Sequence, residues 1–174
     1  MSSSVQKYEV GDYVMHESAG VCKVASIEEC ALQGKGSEKL YYKLLPVYHA
    51  DGQITTPVED KNHRIRDVKT SEEMQSILDH VDELTVVEER NERTRQEKIK
   101  AQIALFDPKP LAGVVKTVYL RKKKRLSEGK KAMSVDERIL QQAGARLFEE
   151  MAFAMKSDLA SVQKNFFAVL DAHL

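Results

Sequence analysis

From position 65 the chain reads Ile65-Arg66-Asp67-Val68-Lys69-Thr70-Ser71-Glu72-Glu73-Met74-Gln75-Ser76-Ile77-Leu78-Asp79-His80-Val81, and a change of period inside this stretch decides the fold class. Ile65 to Val68 is a short β-type run. Beyond Thr70, the apolar residues Met74, Ile77, Leu78 and Val81 recur three and four positions apart, the spacing of one helix face. Thr70 with Glu73 three residues later has the form of a capping box, in which each side chain satisfies a backbone N–H at a helix start.

Working back from this point, the apolar residues come in short clusters. Tyr8, Val10, Tyr13, Val14 and Met15 form one, and Val21, Cys22, Val24, Ala25 and Ile27 a second. Leu40, Tyr41, Tyr42, Leu44 and Leu45 form a third, and Ile54-Thr55-Thr56-Pro57-Val58 a fourth. Gly11-Asp12, Ala19-Gly20, Gly34-Lys35-Gly36 and Asp51-Gly52 punctuate them. β-Branched and aromatic runs bounded by such turns predict strands and hairpins. Several short strands in close succession predict a small twisted barrel rather than a flat sheet. Pro57 belongs at a strand start or on an edge, because it has no N–H to donate to a ladder.

Working forward, Thr85 to Phe106 is helical in composition, and Asp107-Pro108-Lys109-Pro110 ends that helix. Leu111, Val114, Val115, Val118 and Tyr119 restart the helical period, and Ser127-Glu128-Gly129-Lys130 breaks it. Ser134 with Glu137 predicts a second capping box, ahead of Ile139, Leu140, Ala143, Leu147, Met151 and Ala154. Ser157 or Asp158 caps a last helix carrying Leu159, Val162, Phe166, Val169 and Leu170. Strands followed by helices without alternation predict an α+β chain, with a β-domain over 1–69 and a helical domain over 70–174.

Twenty-seven basic residues balance 27 acidic ones, so net charge says nothing about partners. Its distribution does: residues 116–131 hold eight Lys and Arg against one Glu, whereas residues 71–115 hold six against ten. One basic block in a neutral chain points to an anionic partner. Cys22 and Cys30 are too few for a disulfide framework, and no leader-type or membrane-spanning run is visible, which predicts a cytoplasmic protein. His16, His49, His63, His80 and His173 are scattered and lack the spacing of a zinc site. No phosphate loop, nucleophile elbow or dinucleotide fingerprint occurs, so neither a metal, a cofactor nor an enzymatic activity is expected.

Tyr8-Glu9-Val10-Gly11-Asp12-Tyr13-Val14-Met15-His16, followed by Ala19-Gly20-Val21-Cys22-Lys23-Val24 and Ile27-Glu28, resembles the opening of the CarD/CdnL family. The same module resembles the polymerase-interacting domain of transcription-repair coupling factors. Tyr41-Tyr42-Lys43-Leu44 and Thr55-Thr56-Pro57-Val58 look like its third and fourth strands. Leu111 to Leu120 and Ser134-Val135-Asp136-Glu137-Arg138 are similar to two helical stretches of the family. The resemblance implies a bacterial transcription regulator. Its Tudor-like barrel would bind the RNA polymerase β subunit, and its helical bundle would contact promoter DNA at the upstream edge of the open bubble. It departs at one place. The family's early-helical tryptophan, a wedge beside the bubble, has no counterpart: the chain has no Trp, and the matching stretch Arg90 to Arg95 offers no large apolar body to replace base stacking.

These considerations give two sets of site residues. Arg121, Lys122, Lys123, Lys124 and Arg125, with Lys116, Lys130 and Lys131, are the expected phosphate contacts, joined by Arg90, Arg93, Arg95 and Lys98. On this second stretch, ion pairing of Glu89 with Arg93 and of Glu92 with Arg95 is an equal alternative. Cys30, Tyr42, Lys43, Thr55, Thr56 and Pro57 are the expected polymerase contacts, since an exposed sheet edge can pair with a partner strand. Against this, the tyrosines fit a half-buried core and the threonines a solvated strand face. An adaptor that faces an acidic protein, or a polymerase-binding relative that no longer stabilises the bubble, are the alternatives for the whole chain.

Overall fold

A computed structural model describes residues 6–49 and 52–174; the chain's first residues and Asp51 of the expected Asp51-Gly52 turn lie outside them. The chain divides into two compact units, the first running to Val68 and the second from Lys69.

The first unit holds five strands: β1 (Tyr13–His16), β2 (Gly20–Cys30), β3 (Lys39–Pro46), β4 (Ile54–Pro57) and β5 (Ile65–Asp67). All pairings are antiparallel, in the order β4-β3-β2-β1-β5. The sheet is therefore open, with β4 and β5 at its edges, and the expected barrel is corrected to an unclosed sheet. A bulge between Val24 and Ser26 interrupts the long β2, and such an extra residue bends a strand and raises its twist. Gly20, at φ 77°, turns the chain from β1 into β2, a conformation that costs glycine nothing.

Alternation along the strands sends Val14, Cys22, Val24, Tyr42 and Leu44 into one core with Tyr8, Val58 and Ile65. Tyr8 and Val10 lie outside the first strand, which begins only at Tyr13. Instead, the Tyr42 hydroxyl accepts the backbone N–H groups of Lys7 and Tyr8, both at 3.2 Å. The Tyr8 hydroxyl donates to Asp67 at 2.8 Å. Burial and this carboxylate push the Tyr8 phenol pKa up.

The second unit contains α1 (Ser71–Asp79), a 3₁₀ turn (Val81–Glu83), α2 (Glu92–Ala104), α3 (Pro108–Ser127), α4 (Ser134–Met155) and α5 (Leu159–Ala172). Thr70 caps α1 as its sequence requires, its hydroxyl accepting the Glu73 N–H at 3.1 Å. Asp158 caps α5. Ser134 does not cap α4: it is already the first helical residue, and Met133 precedes it without a side-chain bond. α4 ends in a Schellman turn, with Ser157 N–H bonded to the Ala152 carbonyl at 2.9 Å and Lys156 left-handed at φ 53°.

The expected Thr85–Phe106 helix is shorter. Residues 84–91 are not helical, and α2 starts after the Asn91 cap, which accepts the Thr94 N–H. The reason lies on α3. The Thr117 hydroxyl accepts the Val87 N–H at 3.0 Å, and Lys116 Nζ donates to the Val81 carbonyl at 2.7 Å. Gly113 lets the Thr85 carbonyl approach so closely that a Cβ there would lie 2.5 Å from its oxygen. These contacts hold the segment extended along α3. The core gathers Met74, Leu78, Val81, Ile99, Val114, Val118, Leu147, Met151 and Phe166.

Candidate functional site

β4 is the first candidate. The Val58 N–H donates to the Leu40 carbonyl at 3.0 Å, making these two a hydrogen-bonded pair. Antiparallel ladders alternate such pairs with open ones. Thr56 opposite Tyr42 is therefore the next bonded pair, while Thr55 opposite Lys43 and Pro57 opposite Tyr41 are open. The backbone groups of Thr55 and Pro57 thus point away from β3. Among the described residues no strand pairs with them. The outer edge presents the Thr55 N–H, the Thr55 carbonyl and the Pro57 carbonyl. Proline sits where its missing donor leaves no ladder bond unmade.

Side chains beside this edge divide into two kinds. Lys43 Nζ reaches Thr55 Oγ1 at 3.3 Å and lies 4.0 Å from Glu28. Thr55, Pro57 and Cys30 are partly exposed. Tyr42 and Thr56 are not available to a partner: they are 1% and 2% exposed. Both expectations are corrected, because the core face of the sheet takes every second residue.

The basic block is the second candidate, and the structure binds most of it internally. Arg121 lies 3.0 Å from Glu92 and 3.2 Å from Asp136. Lys122 pairs with Glu137 at 2.8 Å, Lys123 with Asp171 at 2.7 Å, and Lys130 with Glu128 at 3.3 Å. Lys116 is spent on carbonyls of the 3₁₀ turn, and Arg125 Nε donates to the Lys131 carbonyl at 2.9 Å. Lys124 and Lys131 have no ion-pair partner among the described residues. The bond from Lys123 holds the Asp171 carboxyl below its usual range and, reciprocally, raises the Lys123 ammonium.

α2 departs furthest from expectation. Arg95 is 3% exposed and bonds Asp136 at 3.0 Å, itself 2% exposed. It is an interior link between α2 and α4, which corrects its place among the phosphate contacts. The cause is phase: Asn91 starts the helix, so position 95 shares the inward stripe with Ile99, four residues on. Arg93 pairs with Glu97 rather than Glu89, and Glu89 takes Lys98 at 2.9 Å, whose bond lowers the Glu89 pKa. Glu92 and Arg95 do approach, at 3.6 Å. Arg90 is exposed or nearly so. The buried hub Asp136 had a sequence signal, an acid in the first turn of α4, but nothing there marked it as interior.

Residues 8–69 match the CarD-like/TRCF RID domain. The span takes in all five strands of the RID unit and ends at the junction with the helical unit. No curated protein matches the chain. Among the described residues, no cluster of His, Cys, Asp and Glu could hold a metal ion, and no helix is long and apolar enough to cross a membrane.

Proposed function

We propose that this chain is a non-enzymatic, cytoplasmic transcription regulator of the CarD type that binds the RNA polymerase β subunit by adding a partner strand to β4. The observation that carries this is the outward-facing set on β4, two groups from Thr55 and one from Pro57, in a RID domain. Backbone bonds supply affinity in such strand addition, and flanking side chains supply selectivity. Here the flanking groups are Lys43, Thr55 and Glu28. The helical unit contacts promoter DNA beside the open bubble through its exposed basic end, Lys124, Arg125, Lys130 and Lys131. This grip is weak alone and becomes effective because the polymerase contact raises the local DNA concentration.

Thr55→Pro tests the first claim. The substitution removes an N–H that β4 does not use in its own ladder, so the fold keeps its bonds while the partner loses its one donor. Capture of the β subunit by the full chain should fall at least about tenfold, the effect of one bond worth about 1.4 kcal/mol. Unchanged capture by a folded variant refutes strand addition at β4.

A second reading keeps the polymerase contact and drops bubble stabilisation. It is favoured by the stretch Arg90 to Arg95, where Arg95 is interior and no large apolar side chain stands in place of the wedge. Open-complex lifetime separates the two: an unchanged lifetime with bound protein selects the adaptor.

A further inference from the structure

The basic block of α3 is charge-masked, and its masks are of two kinds. Asp136 is 2% exposed and belongs to the interior. Glu137 and Asp171 are different: their side chains are 48% and 44% exposed, and their partners Lys122 and Lys123 are 32% and 44% exposed. They come from two other helices, α4 and α5, and converge on consecutive lysines of α3. Both pairs are short, 2.8 and 2.7 Å, so each carboxylate neutralises one cation of the block next to Lys124, which has no ion-pair partner among the described residues.

We infer that Glu137 and Asp171 are specificity-determining residues that hold down the affinity of the α3 surface for polyanions. This rests on the reading of that surface as a DNA contact. An approaching phosphate must displace a carboxylate from each lysine, so counterion release is replaced by exchange of one internal anion for another. The surface then binds DNA strongly only where a tether supplies high local concentration. Free in solution, the chain stays off bulk DNA, because these two lysines are neutralised in addition to Arg121 and Lys130. The masks do not exist to hold the helices together, since exposed ion pairs contribute little to stability. Asp171 also accepts the Tyr119 hydroxyl at 2.8 Å, a bond that an asparagine oxygen retains.

The test uses the full chain, the variants Glu137→Gln and Asp171→Asn singly and together, and a fluorescein-labelled DNA duplex of arbitrary sequence read by anisotropy. Glu72→Gln is the control for net charge: Glu72 lies in the first turn of α1 and pairs with no cation of the block. Each mask variant should bind more tightly than the parent. Each should steepen the slope of log affinity against log salt by about 0.9, so that its advantage shrinks about 3.5-fold from about 50 to about 200 mM salt. Parent-like binding and slope in both mask variants overturns the inference and leaves the DNA contact standing. A Glu72→Gln gain as large as theirs also overturns it, since net charge alone would then explain the effect. Absence of binding by the parent and by every variant overturns both the masking and the DNA reading. Matched circular dichroism spectra establish that all variants are folded.

Discussion

Asp136→Ala should destabilise the helical unit strongly. Asp136 is the shared acceptor of two arginines from two helices: Arg95 of α2 at 3.0 Å and Arg121 of α3 at 3.2 Å. The second contact is an ion pair without hydrogen-bond alignment, as the Oδ2 atom has no bond partner. Arg121 survives the substitution, because it retains Glu92 at 3.0 Å and is partly exposed. Arg95 does not. Its guanidinium is interior, one of its terminal nitrogens already lacks a partner, and its remaining acid, Glu92, is 3.6 Å away. Removing one member of a buried pair costs about 3–5 kcal/mol, mostly from the charge left behind. At an m-value of about 2 kcal/mol/M, the urea midpoint of the helical signal falls by about 1.5–2.5 M. The double variant Arg95→Met, Asp136→Leu removes both charges and should recover to within about 1–2 kcal/mol of the parent, because an apolar pair of similar volume needs no partner. Urea unfolding followed by far-ultraviolet circular dichroism measures both. A single-variant loss below about 1 kcal/mol, the scale of an exposed pair, refutes the account of Arg95 as a buried, obligatory link.

Gly113→Ala should cost about 1–3 kcal/mol by overpacking, because the new Cβ meets the rigid Thr85 carbonyl at 2.5 Å; wild-type stability in the same urea titration counts against the close approach. Lys156→Gly should raise the stability by about 0.5–1 kcal/mol, since glycine relieves the cost of about 1–2 kcal/mol that an L-residue bears at φ 53° and returns part of it as unfolded-state entropy; a lower urea midpoint contradicts the left-handed turn.

Local signals in the sequence located most elements, and distant ones did not. Thr70 and Asp158 cap as their type predicts, because an N-cap needs only a side-chain oxygen three positions from a free N–H. The apolar stripes of α3, α4 and α5 were readable for the same reason: a period needs no partner to be recognised. Most of the errors came from contacts far apart in sequence. Residues 84–91 have helical composition, yet Thr117 and Gly113, some 30 positions on, hold them extended. Ser134 with Glu137 looks like a capping box, yet the helix starts one residue earlier than that motif needs. Strand count was legible, but the sheet's closure was not, because an apolar alternation defines a face and leaves open whether the edges meet. In the basic block, a run of cations identifies the positions of charge and nothing about neighbouring carboxylates. Glu92 lies 29 residues from Arg121, Glu137 15 from Lys122 and Asp171 48 from Lys123. In the polymerase candidates, period two was enough to separate Thr55 from Thr56, but only once the phase of β4 was fixed by the Val58 bond to Leu40.

The composition of α2 determines where the loss of Asp136 will first be felt. Only Arg95 and Ile99 of this helix are buried, so it lacks the apolar stripe that anchors most surface helices. Its docking depends on one aliphatic side chain and two ion pairs, Arg95 with Asp136 and the more exposed Glu92 with Arg121. The other helices bury several apolar residues each, and they can remain packed when α2 leaves. Undocking of α2 is then the lowest-energy opening of the unit, and native-state hydrogen exchange should report it as a separate step. In Asp136→Ala the amides of α2 should lose protection before those of α3 and α4. The free energy of α2 undocking also sets a ceiling on the cost of the substitution, because a released Arg95 regains water. Uniform loss of protection across α2, α3 and α4 would mean that α2 is an integral part of the core, and that the ion pair is not what fastens it.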